Sequence, residues 1–491
     1  MKIKLIAPAR KQEWGESFWD LEPFVKLTGR KTMGTWLALP TLAALTPADD
    51  EVVITDENIE PINFDEKVDL IGITALTSLA PRAYEIADVF RSKGVPVVMG
   101  GIHASMCPEE AIEHVDSVVI GEADEIWPKL ISDFKAGALQ RFYKAEHNPS
   151  LENAPIPRWD LLKTDAYCHF TVQTARGCPF ECDFCSVHAF NGRDYRHKKI
   201  ENIVKEIELL KSLDPKKLIF MADDNLLSKP SYARELLKAI EPLNIRFWIQ
   251  ASINRLDDDE ILDMLYMAGC RVVLIGLESV SQKSLDAINK SKVNNVERYK
   301  KVIKKIQSAG IGVFGSFIVG MDTDDAQIFE DTAKFVKDSN VAFALLNILT
   351  PFPGTKLYDR LMEEKRIVNG NWQYYDVDHL CIEPKMMSGE ELLRYRRQFL
   401  QEINDYPALY SRLKNAWDEG AFIRDKGNKV ALATKGRILF TIKSLMSTDL
   451  KKTRFILKSL WNPKVTSATF IALALGVHDY AYRLSKKNSS N

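Results

Sequence analysis

The chain has 491 residues, more than one ordinary domain holds, with 46% apolar and 27% charged residues and a formal net charge of −1. That is the profile of a globular protein with a sizeable core, and it lacks the strongly basic balance of a nucleic-acid binder, so no nucleic-acid partner is expected. The first residues, Met1 to Pro8, carry an apolar run too short for a signal peptide and read as a first strand, which implies a cytoplasmic protein. Seven cysteines make a disulfide framework an unlikely design for such a chain, and three of the seven fall within eight residues.

From Lys2 to about Phe134 short apolar strands alternate with helix-length segments. The expected strands are Ile3–Ile6, Glu51–Ile54, Asp69–Ile73, Pro96–Met99 and Ser117–Ile120, and Pro81–Phe90 reads as an amphipathic helix that Gly94 ends. Alternation of this kind predicts a doubly wound, Rossmann-like parallel sheet over residues 1–135, with ligands at the carboxyl ends of its strands. Residues 136–169, interrupted by Pro149, Pro155 and Pro157, read as a linker. A second alternating run over 170–372 begins at Phe170–Thr174. It continues through Lys217–Met221, Arg246–Gln250, Val272–Gly276, Ile311–Ile318 and Phe343–Leu349, which predicts a parallel, partly closed barrel.

Residues 373–491 read as mainly helical. Between Ala421 and Lys464 the acidic residues are Asp425 and Asp449 only, against many basic ones, so this stretch is either a solvated face or a peripheral contact with an anionic membrane surface or acidic ligand. The apolar run Ala468–Leu475 is far shorter than the roughly 20 residues that span a bilayer.

The chemistry concentrates in Arg176-Gly177-Cys178-Pro179-Phe180-Glu181-Cys182-Asp183-Phe184-Cys185. Three thiolates spaced Cys-x3-Cys-x2-Cys on a loop after a strand suit three irons of a four-iron cluster and leave the fourth open for a chelating ligand. A structural zinc site is the competing reading; it needs a fourth ligand, and the nearest, His188, lies only three residues beyond Cys185.

This spacing, with Phe184 before the last cysteine, resembles the signature of the radical S-adenosylmethionine (SAM) superfamily. The resemblance implies a partial (β/α)6 barrel and a [4Fe-4S] cluster on Cys178, Cys182 and Cys185, whose open iron binds SAM and cleaves it to a 5′-deoxyadenosyl radical. It further implies SAM contacts from Phe184, from the Asp223-Asp224-Asn225 turn, from Gln250 and Ser252, and from Gly276 and Glu278 of a Gly-x-Glu-Ser element. The Asp-Asp-Asn turn also reads simply as a strand-to-helix turn, and Pro351-Phe352-Pro353-Gly354-Thr355 as a rigid turn or a substrate contact.

The first domain resembles the cobalamin-binding module of one branch of that superfamily, through Gly72–Ser78, Met99–Ser105 and Val119–Glu125. By that resemblance Thr74, Ser78, Gly100, Gly101, Gly121 and Glu122 would meet cobalamin. The stretch Pro8–Gly15 lacks the Asp-x-His-x-x-Gly pattern that gives cobalt a histidine in the mutases and methionine synthase, and His103 reads as a loop hydrogen-bonder rather than a cobalt ligand. The domain order resembles hopanoid methylases and the anaerobic Mg-protoporphyrin ester cyclase. It implies cobalamin-dependent methylation of an unactivated carbon, on a polycyclic or isoprenoid lipid, with an external electron donor such as flavodoxin or ferredoxin. Two rivals are a cyclase or oxidase using the same cofactors and a corrinoid- or redox-sensing iron–sulfur protein.

Overall fold

The computed structural model describes residues 1–15, 17, 22–421, 450–460 and 468–486. The chain divides into two compact units: the first comprises Met1–Ser17, Lys31–Lys229 and Thr350–Glu383, and the second Phe18–Arg30, Pro230–Leu349 and Pro384–Asn491.

The first unit contains β1 (Lys2–Ala7), β2 (Thr32–Gly34), β3 (Glu51–Asp56), β4 (Leu70–Thr74), β5 (Val97–Gly100), β6 (Ser117–Ile120) and β7 (Phe142–Lys144). All but β2 form one sheet in the order β3-β1-β4-β5-β6-β7, every pair parallel. The chain leaves β1 toward one side for β3 and returns to the other for β4, so the order reverses at β1, and crevices at such reversals are where doubly wound sheets bind ligands. The helix Ala80–Ser92 turns Ala83, Ile86, Ala87 and Phe90 onto Ile71, Ile73, Val97 and Met99, the apolar layer that fixes the sheet's register. The expected strands are all present. The sixth, β7, was not expected, because its three residues carry no periodic signal and are made a strand by pairing with β6.

The same unit holds β8 (Tyr167–Val172), the two-residue strands β9 (Ala175–Arg176) and β10 (Arg196–His197), and β11 (Leu218–Met221). β8 pairs in parallel with β2 and with β11, while β9 and β10 form an antiparallel ribbon that closes the intervening loop.

In the second unit β12 (Phe247–Gln250), β13 (Cys270–Glu278), β14 (Gly312–Val319) and β15 (Phe343–Ile348) pair in sequence order, all parallel. The helices between them start where the sequence supplies caps: Asp258 accepts from the Glu260 and Ile261 amides, and Asn295 from that of Glu297. Beyond Ser388, whose side chain and that of Glu391 form a capping box, the described residues are helical: Gly389–Asn404, Tyr406–Glu419, Leu450–Leu460 and Ala468–Lys486. Among the described residues no helix is long and apolar enough to cross a membrane. Most of the basic stretch lies at 422–449 and 461–467, outside the described residues.

Candidate functional site

The segment bearing the cysteines leaves β8 at Val172 and passes through β9 into Gly177. Gly177 has φ of 96°, and a Cβ there would stand 2.3 Å from the Asp194 carbonyl oxygen, so only glycine closes the loop at this point. Cys182 is buried, Cys178 and Cys185 half-buried, and the Cys185 amide donates to the Cys182 carbonyl at 3.0 Å. Phe184 is half-buried within the same turn. Among the described residues no three His, Cys, Asp or Glu side chains converge as around a metal ion, so what the chain contributes here is a positioned loop. His188 lies in the helix Val187–Asn191, with an enclosed Nδ1 that makes no hydrogen bond.

Burial pushes the thiols of Cys107, Cys270 and Cys381 up to about 12, so at neutral pH these three stay protonated.

The Asp223-Asp224-Asn225 turn follows β11, and both carboxylates face the cysteine segment. Asp223, 0% exposed, accepts from the Thr174 amide at 2.6 Å, the Ala175 amide at 3.0 Å and the Thr174 hydroxyl. Burial raises its carboxyl to about 6 against the pull of those three donors. Asp224 accepts from the Gly177 amide at 3.0 Å and from Asn191 Nδ2 at 3.1 Å; burial raises it too, while Gly177, Asn191 and Arg176 oppose the shift. Asn225 is buried behind them. The turn is thus a brace for the cysteine loop. From the other side, Leu357 N–H donates to the Asp183 carbonyl at 2.9 Å, just past the Pro351–Thr355 turn, where Thr355 caps the helix Lys356–Glu363 through the Tyr358 amide.

In the second unit Gln250 ends β12 and Ser252 precedes a short turn of helix at Ile253–Arg255. Glu278 sits at the end of β13 with φ of 61°, a conformation few non-glycine residues adopt. Its carboxylate folds back over Gly276, where a Cβ would stand 2.3 Å from Oε1, and pairs with Lys290 at 3.3 Å; burial raises its pKa and Lys290 opposes the rise. Asn294 Nδ2 donates to the Gly276 and Leu277 carbonyls, both at 2.9 Å, and the Tyr299 hydroxyl to Leu277 at 2.8 Å. These supports had no sequence signal.

At the carboxyl ends of β4, β5 and β6 lies a cavity of about 280 Å³. Five of the six residues expected to meet cobalamin line it: Thr74, Gly100, Gly101, Gly121 and Glu122. Ser78 is not among them; it is half-buried in the short helix Thr77–Leu79. One wall is apolar and comes from Leu37 to Leu45, the other polar and comes from Asp124, Gln173, Arg176 and Asn191, none of which sequence reasoning singled out. At Gly121 nothing lies within 4 Å of where a Cβ would stand, so backbone is bared to the cavity. Asp124 Oδ1 is enclosed and makes no hydrogen bond, an acceptor open to a ligand carrying amide donors. A flat macrocycle fringed with carboxamides fits an apolar face, bare backbone and one spare acceptor.

No residue of Pro8–Gly15 lines this cavity. Arg10 ties that stretch to itself and to a distant turn, donating to the carbonyls of Trp14, Gly15 and Gln373 and pairing with Asp376 at 2.8 Å. His103 is fully buried, its Nε2 2.9 Å from the Tyr84 hydroxyl and 3.4 Å from Glu110.

The chain is similar to known proteins. A model of the radical SAM superfamily matches residues 172–336 and one of the B12 binding domain matches residues 30–131. The chain is 35% identical over 361 residues to the bacteriochlorophyllide d C-8(2)-methyltransferase of Chlorobaculum tepidum, across 70% of this chain and 80% of that one. It is 27% identical over 354 residues to the hopanoid C-2 methylase of Rhodopseudomonas palustris, across 70% of this chain and 67% of that one. TsrM, a radical SAM methyltransferase from Kitasatospora setae solved with cobalamin and a [4Fe-4S] cluster, aligns over 98% of this chain and 99% of its own with a TM-score of 0.62; at 14% identity the likeness is one of fold. Loop, cavity and matches together define a radical SAM enzyme. The chain belongs to the cobalamin-binding branch of that superfamily, the branch that includes these methyltransferases, and its cofactors are the [4Fe-4S] cluster, SAM and cobalamin. The expected α/β fold class, with a doubly wound domain, a partial barrel of parallel strands and a helical remainder, holds.

The brace makes a definite prediction. Replacing Asp223 with Ala strands two amides and a hydroxyl in a buried site, at a cost of about 1–3 kcal/mol each. Both the denaturation midpoint and the iron bound per chain after anaerobic reconstitution should fall. Full iron content at unchanged stability would show that the carboxylate does not hold the loop.

Proposed function

We propose that this enzyme transfers a methyl group to an unactivated carbon of a rigid, polycyclic and largely apolar small molecule. The observation that carries the reading is the cavity at the strand ends of the doubly wound sheet, whose polar wall is built from Gln173, Arg176 and Asn191, residues flanking the cluster cysteines. By their names the relatives at 35% and 27% identity methylate a bacteriochlorophyllide and a hopanoid, both fused-ring compounds, which supports that substrate class.

In this reading Cys178, Cys182 and Cys185 hold three irons, and Thr74, Gly100, Gly101, Gly121 and Glu122 form the corrin's seat. When bound, cobalamin supplies methyl-transfer chemistry at cobalt, and SAM at the open iron supplies radical chemistry. The chain's own contribution is to place them. Asp223 and Asp224 fix the loop's entrance, the Leu37–Leu45 wall keeps water from one side of the cavity, and Pro8–Gly15, which has no histidine and does not line the cavity, would supply no ligand to cobalt. Phe184, Asp223, Asp224, Asn225, Gln250, Ser252, Gly276 and Glu278 remain the proposed SAM contacts. An external one-electron donor of the flavodoxin or ferredoxin kind completes the cycle, and the basic stretch from Arg424 to Lys464 is assigned to a peripheral contact with an anionic membrane surface.

Replacing Cys178, Cys182 or Cys185 with Ala should abolish the visible iron–sulfur absorption and all SAM cleavage, whereas Cys107, Cys168, Cys270 and Cys381 should tolerate the change with the cluster intact. An undiminished cluster in the triple variant would refute the ligand assignment.

Methylation is separated from ring closure or oxidation by isotope and stoichiometry. With SAM carrying a deuterated methyl group, each turnover should consume two molecules, one giving S-adenosylhomocysteine and the other 5′-deoxyadenosine and methionine, with the label in the product. Release of 5′-deoxyadenosine without label transfer would favour a cyclase or oxidase.

A further inference from the structure

The polar wall of the cavity and the scaffold of the cluster loop are one hydrogen-bonded network. Arg176 stands immediately before Gly177 and Cys178, yet its guanidinium lies in the cavity wall. Nη1 donates to Glu122 at 2.6 Å and to Asp124 at 2.7 Å, and Nε to Gln173 at 2.8 Å. The other oxygen of Glu122 takes Arg196, the partner of Arg176 across the β9–β10 ribbon. Arg196 also donates to the carbonyls of Pro149 at 2.7 Å and Asn191 at 2.8 Å, and Asn191 Nδ2 reaches Asp224, which holds Gly177. Glu122 and Asp124 belong to the loop after β6, on the corrin side; Arg176, Arg196 and Asn191 frame the cysteine loop.

We propose that Glu122, Asp124, Arg176 and Arg196 are positioning residues that couple the two cofactor sites, so that filling the corrin cavity sets the entrance of the cluster loop. A ligand that packs against Gly121 and engages Asp124 fixes the β6 loop. Glu122 then has one position: Arg196 holds both of its oxygens and Arg176 Nη1 bridges it to Asp124, which transmits that position to both strands of the ribbon. The inference rests on the cavity being the corrin's seat.

The coupling is measurable without turnover. Hydroxocobalamin is titrated, by its absorption, into the full chain with the cluster reconstituted and into the same chain with iron and sulfide removed. Linkage requires each site to change the other's affinity by the same factor, typically about 5- to 150-fold. The wild-type protein should therefore bind hydroxocobalamin at least about fivefold more tightly when the cluster is present. In Glu122→Gln that ratio should fall to near one, and likewise in Arg176→Lys, which keeps the charge but loses the Nε contact to Gln173 that orients the guanidinium. Where Glu122→Gln does not fold, as judged by circular dichroism, Asp124→Asn reports the same loss. Equal affinities with and without cluster in the wild type, or an unaltered ratio in the folded variants, would overturn the coupling. Failure of the wild type to bind hydroxocobalamin at all would instead overturn the corrin seat, and the coupling with it.

Discussion

A loop that offers three thiolates to a cluster has to leave its sulfurs unspent while its backbone amides, half-enclosed, still find acceptors. Inside the loop the Cys178 amide donates to the Gly192 carbonyl at 3.3 Å and that of Cys185 to Cys182 at 3.0 Å, while the amides leading into it go to a pair of adjacent carboxylates. Asp223 takes the amides of Thr174 and Ala175, and Asp224 that of Gly177. Every later feature of the site depends on that capture, because the three bonds fix where the chain stands as it enters Cys178. Burying two neighbouring carboxylates is unfavourable, as the upward shift of Asp223 to about 6 records; backbone amides aimed at them offset the cost and make the arrangement specific.

The same logic governs the charges beside it. Burial works to lower the Arg176 pKa, but Asp124 and Glu122 overcome it and hold the guanidinium charged. Two arginines face two carboxylates in the Glu122–Asp124–Arg176–Arg196 group, so the charge closes on itself. Such a group adds little net stability over an apolar core, yet removing one member leaves a buried charge uncompensated, at about 3–5 kcal/mol. Its value is therefore in specifying position. Guanidinium forks hold carboxylates in a plane and at a fixed distance, which a packed hydrophobic contact does not.

Much of this was legible in the sequence wherever a physical signal is local. The strands β1, β3, β4, β5 and β6 are short, mainly apolar runs, and the cysteine spacing carries its chemistry in eight residues. Partners distant in sequence were not legible. Residues 223–225 read as rich in acceptors, but nothing in them told that Thr174, Ala175 and Gly177 would claim the carboxylates. Glu122 read as a ligand contact; it lines the cavity, with both oxygens bound to arginines. The helix Glu22–Thr28 falls within the first alternating run of the sequence, yet it belongs to the second unit, where Phe24 meets Gly476 of the helix Ala468–Lys486 so closely that a Cβ there would stand 2.6 Å from its Cβ. That contact is written in two stretches at opposite ends of the chain, and neither is informative alone.

The stretch after β1 shows how a departure from a pattern becomes interpretable once its replacement interactions are seen. By sequence alone, Pro8–Gly15 without a histidine reads as an unconstrained loop. Arg10 instead binds three carbonyls and Asp376, and Trp14 is buried, so the segment is tied down, while none of it lines the cavity. A loop built this way has exchanged metal ligation for internal order. The guanidinium that organises it offers donors only and no acceptor. The order in that loop comes from the contacts of Arg10.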